Sequence, residues 1–391
     1  MEPDASRLAR TVAAALTAAV GGPVRVGPPV PVADGWSARH GAYPWINRHV
    51  VTGPVGWGVR SVVVKARRPR GGRPGNDLGR ERAALTLLAD LDCAVGPRLL
   101  AHDQRRGFLV LEDLGAGPAL EDLLVGADPE SATAGFVALA EAVGRLHAAT
   151  REHRGRFEAR LTAAGCPPDP GRVVTLADVP LATWWSRLVG LSGHLDLLPD
   201  PVGAGREVTQ VVDVLGAAGP FVALSTGDFA PQNCRIGRGR ARLLDFEAAR
   251  YQHVLLDAAH LRLPFYGGPC WSRIPARVGT RVEAAYRDAL AAGGGCRLDD
   301  ATWQTGMAHS TAAWALVRLV RLPALLAGDQ PHPMGFSRRG QLLDTLQVAV
   351  DTATAGQALP ELSEWFTGTI ARLRRCWPGQ PPTQQLYPAY R

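Results

Sequence analysis

The chain has almost no lysine. Of its 391 residues, 43 are lysine or arginine, and Lys65 is the one lysine among them. Such a ratio reads as a compositional bias that put arginine wherever arginine would serve. The survivor sits in the apolar run Val62-Val63-Val64-Lys65-Ala66. Arginine cannot replace lysine where a compact ammonium on a slim stem must reach one point; the competing reading is an ordinary outward basic residue on a strand. Asparagine is nearly as scarce, with only Asn47, Asn76 and Asn233.

Other absences exclude whole classes. No apolar run approaches the roughly 20 residues that a membrane-spanning helix needs, so no membrane role is expected. The Ala-rich stretch Thr11 to Val20 is short, weakly hydrophobic and preceded by Glu2 and Asp4, unlike a signal peptide. The six cysteines form no C-x-x-C pair and match no zinc or disulfide spacing. Free thiols and a cytoplasmic location are the expectation. The net charge of +7 is spread over scattered arginines with no basic block. With no zinc-finger, helix-turn-helix or RNA-binding signature, nucleic acid is not expected as a partner. A phosphate-bearing ligand or an acidic peptide fits the charge.

What is present suits two lobes with real cores: 391 residues, 46% hydrophobic, with 44 glycines and 31 prolines dispersed as turns. Residues 5–20 read as a helix stopped by Gly21-Gly22-Pro23. Ile46 to Thr52 and Val59 to Ala66 read as strands, with the turn Gly53–Gly58 between them. A helix is predicted from Leu78 to Leu91 and a short strand over Phe108–Leu111. Beyond that the pattern is mainly helical. Phe136, Leu139, Val143 and Leu146 keep one apolar face over 131–149, and helices are predicted near 276–292, 301–327, 339–354 and 360–375. Residues 155–220 are punctuated by Pro and Gly and resist reading. The Pro/Gln-rich end, Trp377 to Arg391, is expected to be mobile. The expected fold is α+β and bilobal: a helical extension over 1–30, a small β-rich lobe over 31–113 and a large, mainly helical lobe over 114–391.

One segment carries chemistry. In Ser225-Thr226-Gly227-Asp228-Phe229-Ala230-Pro231-Gln232-Asn233, Asp228 and Asn233 are five apart, and Leu243-Leu244-Asp245-Phe246-Glu247 follows. This is the D-x-x-x-x-N spacing of a kinase catalytic loop. Cys234–Ile236 and Ala241–Leu244 can pair across Gly237-Arg238-Gly239-Arg240. That pairing brings Asn233 and Asp245 to the open end of a hairpin, where an amide oxygen and a carboxylate suit Mg²⁺. Asp228 is then placed to accept a proton from a hydroxyl.

The segment resembles the Brenner-type motif of the aminoglycoside phosphotransferase/choline kinase group, a branch of the protein-kinase-like fold. The usual pattern is H-G-D-x-x-x-x-N, a short hairpin, then [IL]-D-[FW]-E. Thr226 departs from it by standing where the family usually has His. The resemblance implies that Lys65 contacts the ATP phosphates and is held by Glu81. With Leu78, Leu85 and Leu88, Glu81 keeps an inward helical spacing. It implies that Leu111–Gly115 joins the lobes and meets adenine through its backbone at Glu112 and Leu114. The phosphate-covering loop falls to Gly35–Gly41, which contains Ser37, or to the Gly53–Gly58 turn. His147 and Asp257 are expected to be structural.

The resemblance implies an ATP- and Mg²⁺-dependent phosphotransferase acting on a hydroxyl. The basic chain disfavours a polycationic acceptor and leaves a neutral or acidic small molecule, such as an antibiotic or another natural-product alcohol. An alternative is a Ser/Thr kinase acting on a ribosomal precursor peptide with a partner lyase, as in lanthipeptide or thioamitide biosynthesis. Another is a pseudokinase scaffold.

Overall fold

The computed structural model describes residues 5–32, 45–67, 78–169, 175–176, 179–192, 202–217, 219–265, 271–293, 297–330, 336–381 and 384–391. The chain opens with helix α1 (Ala5–Val20) and strands β1 (Arg25–Val26), β2 (Val30–Pro31), β3 (Ile46–Thr52) and β4 (Ser61–Ala66). Helix α2 (Leu78–Asp90) then leads to β5 (Leu99–Asp103) and β6 (Phe108–Glu112). These strands form one antiparallel sheet in the order β1-β3-β4-β6-β5, with β2 also paired to β3.

The two-residue period of the strands decides what each face meets. Val62 and Val64 of β4, with Phe108 and Val110 of β6, bury against Val12 and Leu16 of α1. Leu109 and Leu111 of β6 turn to the opposite face and pack with Leu85 and Leu88 of α2, with Val63 beside them. Lys65 follows Val63 by two residues, so the same alternation sends it to the α2 side. The β-branched run makes a rigid strand that cannot easily re-aim this lysine.

The second lobe begins with α3 (Leu120–Val125), α4 (Pro129–Thr150) and α5 (Arg154–Ala163). The short strands β7 (Thr175–Leu176) and β8 (Val179–Pro180) precede α6 (Leu181–Ser192) and α7 (Val202–Gly216). Next come β9 (Val222–Ser225), β10 (Cys234–Gly237), β11 (Arg240–Leu243), β12 (Arg250–His253) and α8 (Val254–Ala258). Helices α9 (Ala276–Ala292), α10 (Asp300–Leu319), α11 (Leu322–Ala327), α12 (Arg338–Ala355) and α13 (Pro360–Cys376) complete it. Phe136, Leu139, Val143 and Leu146 of α4 join Val282, Tyr286 and Leu290 of α9 in one core. A second core lies among α6, α7, α10, α12 and α13.

Two expectations are corrected. The single helix over 301–327 is two helices, because Pro323 lies in the first turn of α11, where its missing N–H costs nothing. The described part of the C-terminal segment is packed rather than mobile. Leu386 bridges Arg273, the Tyr387 amide donates to the Arg273 carbonyl at 3.0 Å, and Tyr387 is buried. Among the described residues no helix is long and apolar enough to cross a membrane.

Candidate active site

Four charged groups meet where the lobes face each other. Lys65 is buried, and its Nζ lies 2.8 Å from Glu81 Oε2 on α2. Glu81 shares the inner face of α2 with buried Leu78, Leu85 and Leu88. From the other lobe, Asp245 pairs with Nζ through Oδ1, and Glu247 Oε2 stands 3.0 Å from it. The chain gets there by a backbone device. Asp245 follows β11 with φ +62°, and Phe246 is wholly buried between the two acids. A left-handed conformation is costly for a residue other than glycine, and such strain concentrates at functional sites.

The electrostatics are one ammonium against three carboxylates. Burial alone would lower the Lys65 pKa, but Glu81, Asp245 and Glu247 outweigh it and hold the ammonium above its ordinary value. Burial pushes the Glu81 carboxyl up, with the Lys65 charge opposing. Carboxylate oxygens of Glu81, Asp245 and Glu247 lie within 4.8 Å of one another, a cation-sized cluster that the Lys65 ammonium enters.

The loop bearing Asp228 is held from below. Strand β9 pairs with β12, with Ser225 opposite Arg250. Ser225 Oγ donates to Asp257 Oδ1 at 2.9 Å and accepts the Gly227 N–H at 2.9 Å. Asp257 also accepts from Gln252 and meets His147 Nε2 at 3.0 Å, while His147 Nδ1 meets the Tyr286 hydroxyl. Gly227 has φ +78°, and a Cβ there would collide with the Ala248 carbonyl. Only glycine satisfies both conditions.

The motif then closes on itself. Asn233 Nδ2 donates to both the backbone carbonyl and Oδ2 of Asp228, each at 3.1 Å. The Leu244 amide donates to the Asn233 carbonyl at 2.9 Å, and β10 pairs with β11 from Cys234↔Leu243 onward. Asn233 and Asp245 therefore flank the hairpin's open end. Asp228 reaches solvent at the surface of the cleft, yet protein atoms surround its carboxyl closely. That desolvation, then the Asp245 charge, pushes its pKa up to about 6, against the Asn233 hydrogen bond. With its Nδ2 engaged, Asn233 offers Oδ1. Together with the part-exposed Asp245 carboxylate, it is a hard-oxygen donor set that fits a divalent cation.

The connector after β6 is pinned by its acidic side chains. The Glu112 carboxylate is engaged, accepting from the Arg98 amide at 3.0 Å and from Arg242 Nη2 of the hairpin at 3.0 Å. Its backbone amide is engaged as well, donating to the Arg98 carbonyl at 2.8 Å. Asp113 takes Arg48 Nε at 2.7 Å, Ser61 Oγ at 2.7 Å and the Gly115 amide at 3.0 Å. Leu114 lies half-buried between them. Ser37 and the Gly35–Gly41 stretch lie outside the described residues. The Gly53–Gly58 turn is the loop between β3 and β4.

The structure thus brings together Lys65, Glu81, Asp245, Asp228 and Asn233. Sequence reasoning missed Glu247 as a partner of Lys65, although its place two residues after Asp245 was the available signal. It also missed Ser225, which no motif marks.

The family model described as "Phosphotransferase enzyme family" matches residues 45–303, more than half of the chain. No curated protein matches the sequence. Among solved structures, a choline/ethanolamine kinase family protein from Mesorhizobium loti is 16% identical, with 89% of this chain and 93% of that chain covered and a TM-score of 0.44. A macrolide 2'-phosphotransferase from Brachybacterium faecium is 18% identical, covering 80% and 93%, with a TM-score of 0.44. A streptomycin–ATP ternary complex of APH(2")-IIa is 12% identical, covering 83% and 95%, with a TM-score of 0.49.

Proposed function

The chain belongs to the phosphotransferase enzyme family, in the bilobal protein-kinase-like fold, and from that premise we propose that it moves the γ-phosphoryl group of ATP to a hydroxyl of a small molecule, with Mg²⁺. The observation that carries this reading is the junction of Lys65, paired to Glu81 in one lobe, with Asp245 and Glu247 of the other, beside the Asp228–Asn233 pair.

In this reading ATP lies between residues 31–113 and 114–391, and the helix before them braces the sheet. Its adenine meets the backbone at Glu112 and Leu114, and Ser37 belongs to the loop over the phosphates. Lys65 leaves part of its carboxylate cage to meet the α- and β-phosphates, while Glu81 keeps it aimed. Asn233 and Asp245 hold Mg²⁺, which when bound offsets the negative charge of the transferring phosphoryl group. The acceptor oxygen attacks the γ-phosphorus, the bond to the β–γ bridging oxygen breaks, Asp228 takes the hydroxyl proton, and ADP leaves. Positioning and fixed charges supply most of the acceleration in such transfers.

Family membership favours an enzyme over a pseudokinase scaffold, and no observation favours the precursor-peptide substrate with its partner lyase. The test is Mg-ATP-dependent phosphorylation of hydroxyl compounds by the wild type and by Asp228→Ala. Transfer that survives in the variant, or ATP binding with no transfer at all, overturns the reading.

A further inference from the structure

A cavity of about 330 Å³ lies where the segment after α8 meets α12 and α13. That volume suits a drug-sized molecule. Its wall packs against Phe229, the residue after Asp228. The Phe229 ring stacks on His260 at 5.4 Å between centroids and on Phe265 at 6.0 Å, and Phe265 leans on Phe136 at 5.7 Å. His260, Phe265 and Phe136 all line the cavity. It is therefore an aromatic-walled chamber whose wall packs on the ring that follows Asp228 in the proposed catalytic loop.

Its polar groups are incomplete. Asp344 Oδ2 and His260 Nδ1 are enclosed with no hydrogen-bond partner among the described residues, and both side chains line the cavity. Asp344 is 8% and His260 2% exposed. A buried acceptor without a donor is costly, and a ligand N–H or O–H would recover that cost. Desolvation pushes the Asp344 pKa up to about 6, while Arg273, the Gln384 amide and Arg374 oppose it. Burial and then the Arg318 charge hold His260 well below the ordinary histidine value, so it stays neutral.

The charge balance speaks against a polycation. Arg262 is tied to Glu283 by two contacts of 2.6 and 2.8 Å. The lining also carries Arg273 and Arg374, balanced by Asp344 and Asp351. A ligand with several ammonium groups would meet the two arginines without an excess of carboxylates to hold it.

We propose that this cavity seats the acceptor, and that the acceptor is an amphipathic alcohol of little net charge: an apolar ring body against Phe136 and Phe265, a hydrogen-bond donor on Asp344, and its hydroxyl toward Asp228. This rests on the phosphotransferase reading above.

The experiment compares two compound pools with Mg-ATP, reading the mass gain of one phosphoryl group. One pool holds uncharged and zwitterionic aromatic alcohols, with chloramphenicol as a representative. The other holds polycationic aminoglycosides such as neomycin and kanamycin. Asp344→Asn and the cavity-filling Val348→Trp are run beside the wild type, with thermal unfolding and ATP-analogue binding to show that each is folded. The expected result is turnover in the first pool only, with the acceptor KM raised tenfold or more by whichever variants fold and the ATP KM unchanged. Turnover of aminoglycosides, or of any acceptor with its KM unaltered in both variants, overturns the inference and leaves the phosphotransferase reading standing. No turnover in either pool overturns the inference as well. The broader reading survives that outcome only if Mg-ATP is slowly hydrolysed and Asp228→Asn abolishes the hydrolysis.

Discussion

At the scale of single residues, Lys65 and Asp228 carry opposite electrostatic burdens. Lys65 is one ammonium serving three carboxylates. Removing it in Lys65→Ala leaves Glu81, Asp245 and Glu247 facing one another, and breaking a buried pair in this way costs about 3–5 kcal/mol. Urea unfolding should register a loss of that size. Lys65→Arg keeps the charge, yet the broader guanidinium cannot occupy the ammonium's place. The protein should stay folded while kcat/KM falls at least tenfold, and equal kinetics would refute the need for lysine. Asp228 has a folded pKa of about 6, above the ordinary 3.8. The folded state thus binds this proton more tightly than the unfolded chain. The group's contribution to stability is greatest below about pH 4 and declines as pH rises through 6. Asp228→Asn should therefore raise Tm near pH 8, with the gain vanishing near pH 4. In the wild type, kcat/KM should climb as pH passes through about 6, because only the carboxylate can take a proton.

At the scale of elements, what the sequence revealed followed from local signals. The Val run, with its two-residue period, marked β4 and aimed Lys65 toward α2. The spacing of Leu78, Glu81, Leu85 and Leu88 marked the inner face of that helix. The hairpin followed from two short apolar runs around Gly237–Gly239. Long-range partners were not legible. Nothing local tells that Glu112 clamps Arg242, that the C-terminal Tyr387 bonds the Arg273 carbonyl, or that Ser225 bonds Asp257. Such contacts are set by tertiary packing across 32 to 130 positions. The support of the loop by β9 predicts that Ser225→Ala strands the Gly227 N–H and loosens Asp228. The kcat should fall about tenfold while the ATP KM holds; an unchanged kcat would make the Ser225 contact merely local. The Glu112–Arg242 clamp is part-exposed, so Arg242→Ala should cost only about 1 kcal/mol in urea unfolding.

At the scale of the whole molecule, two lobes supply half a site each. The sheet lobe gives Lys65 and Glu81. The helical lobe gives Asp228, Asn233, Asp245 and Glu247, and the charged cluster sits where they meet. The bilobal order was readable because β-period and helix-period segments are separated along the chain. The cavity proposed for the acceptor was not, because its walls come from α4, the segment after α8, α12, α13 and the C-terminus. The most direct measurement of the account is Mg-ATP-dependent transfer to pooled small-molecule alcohols by the wild type and by Asp228→Asn, with nucleotide binding measured in both. The account predicts a phosphorylated product from the wild type, roughly 10²–10⁴-fold slower transfer by the variant, as expected for loss of a general base, and intact nucleotide binding. Transfer at equal rates by both proteins, or bound Mg-ATP with no phosphorylated product from any alcohol, would contradict it.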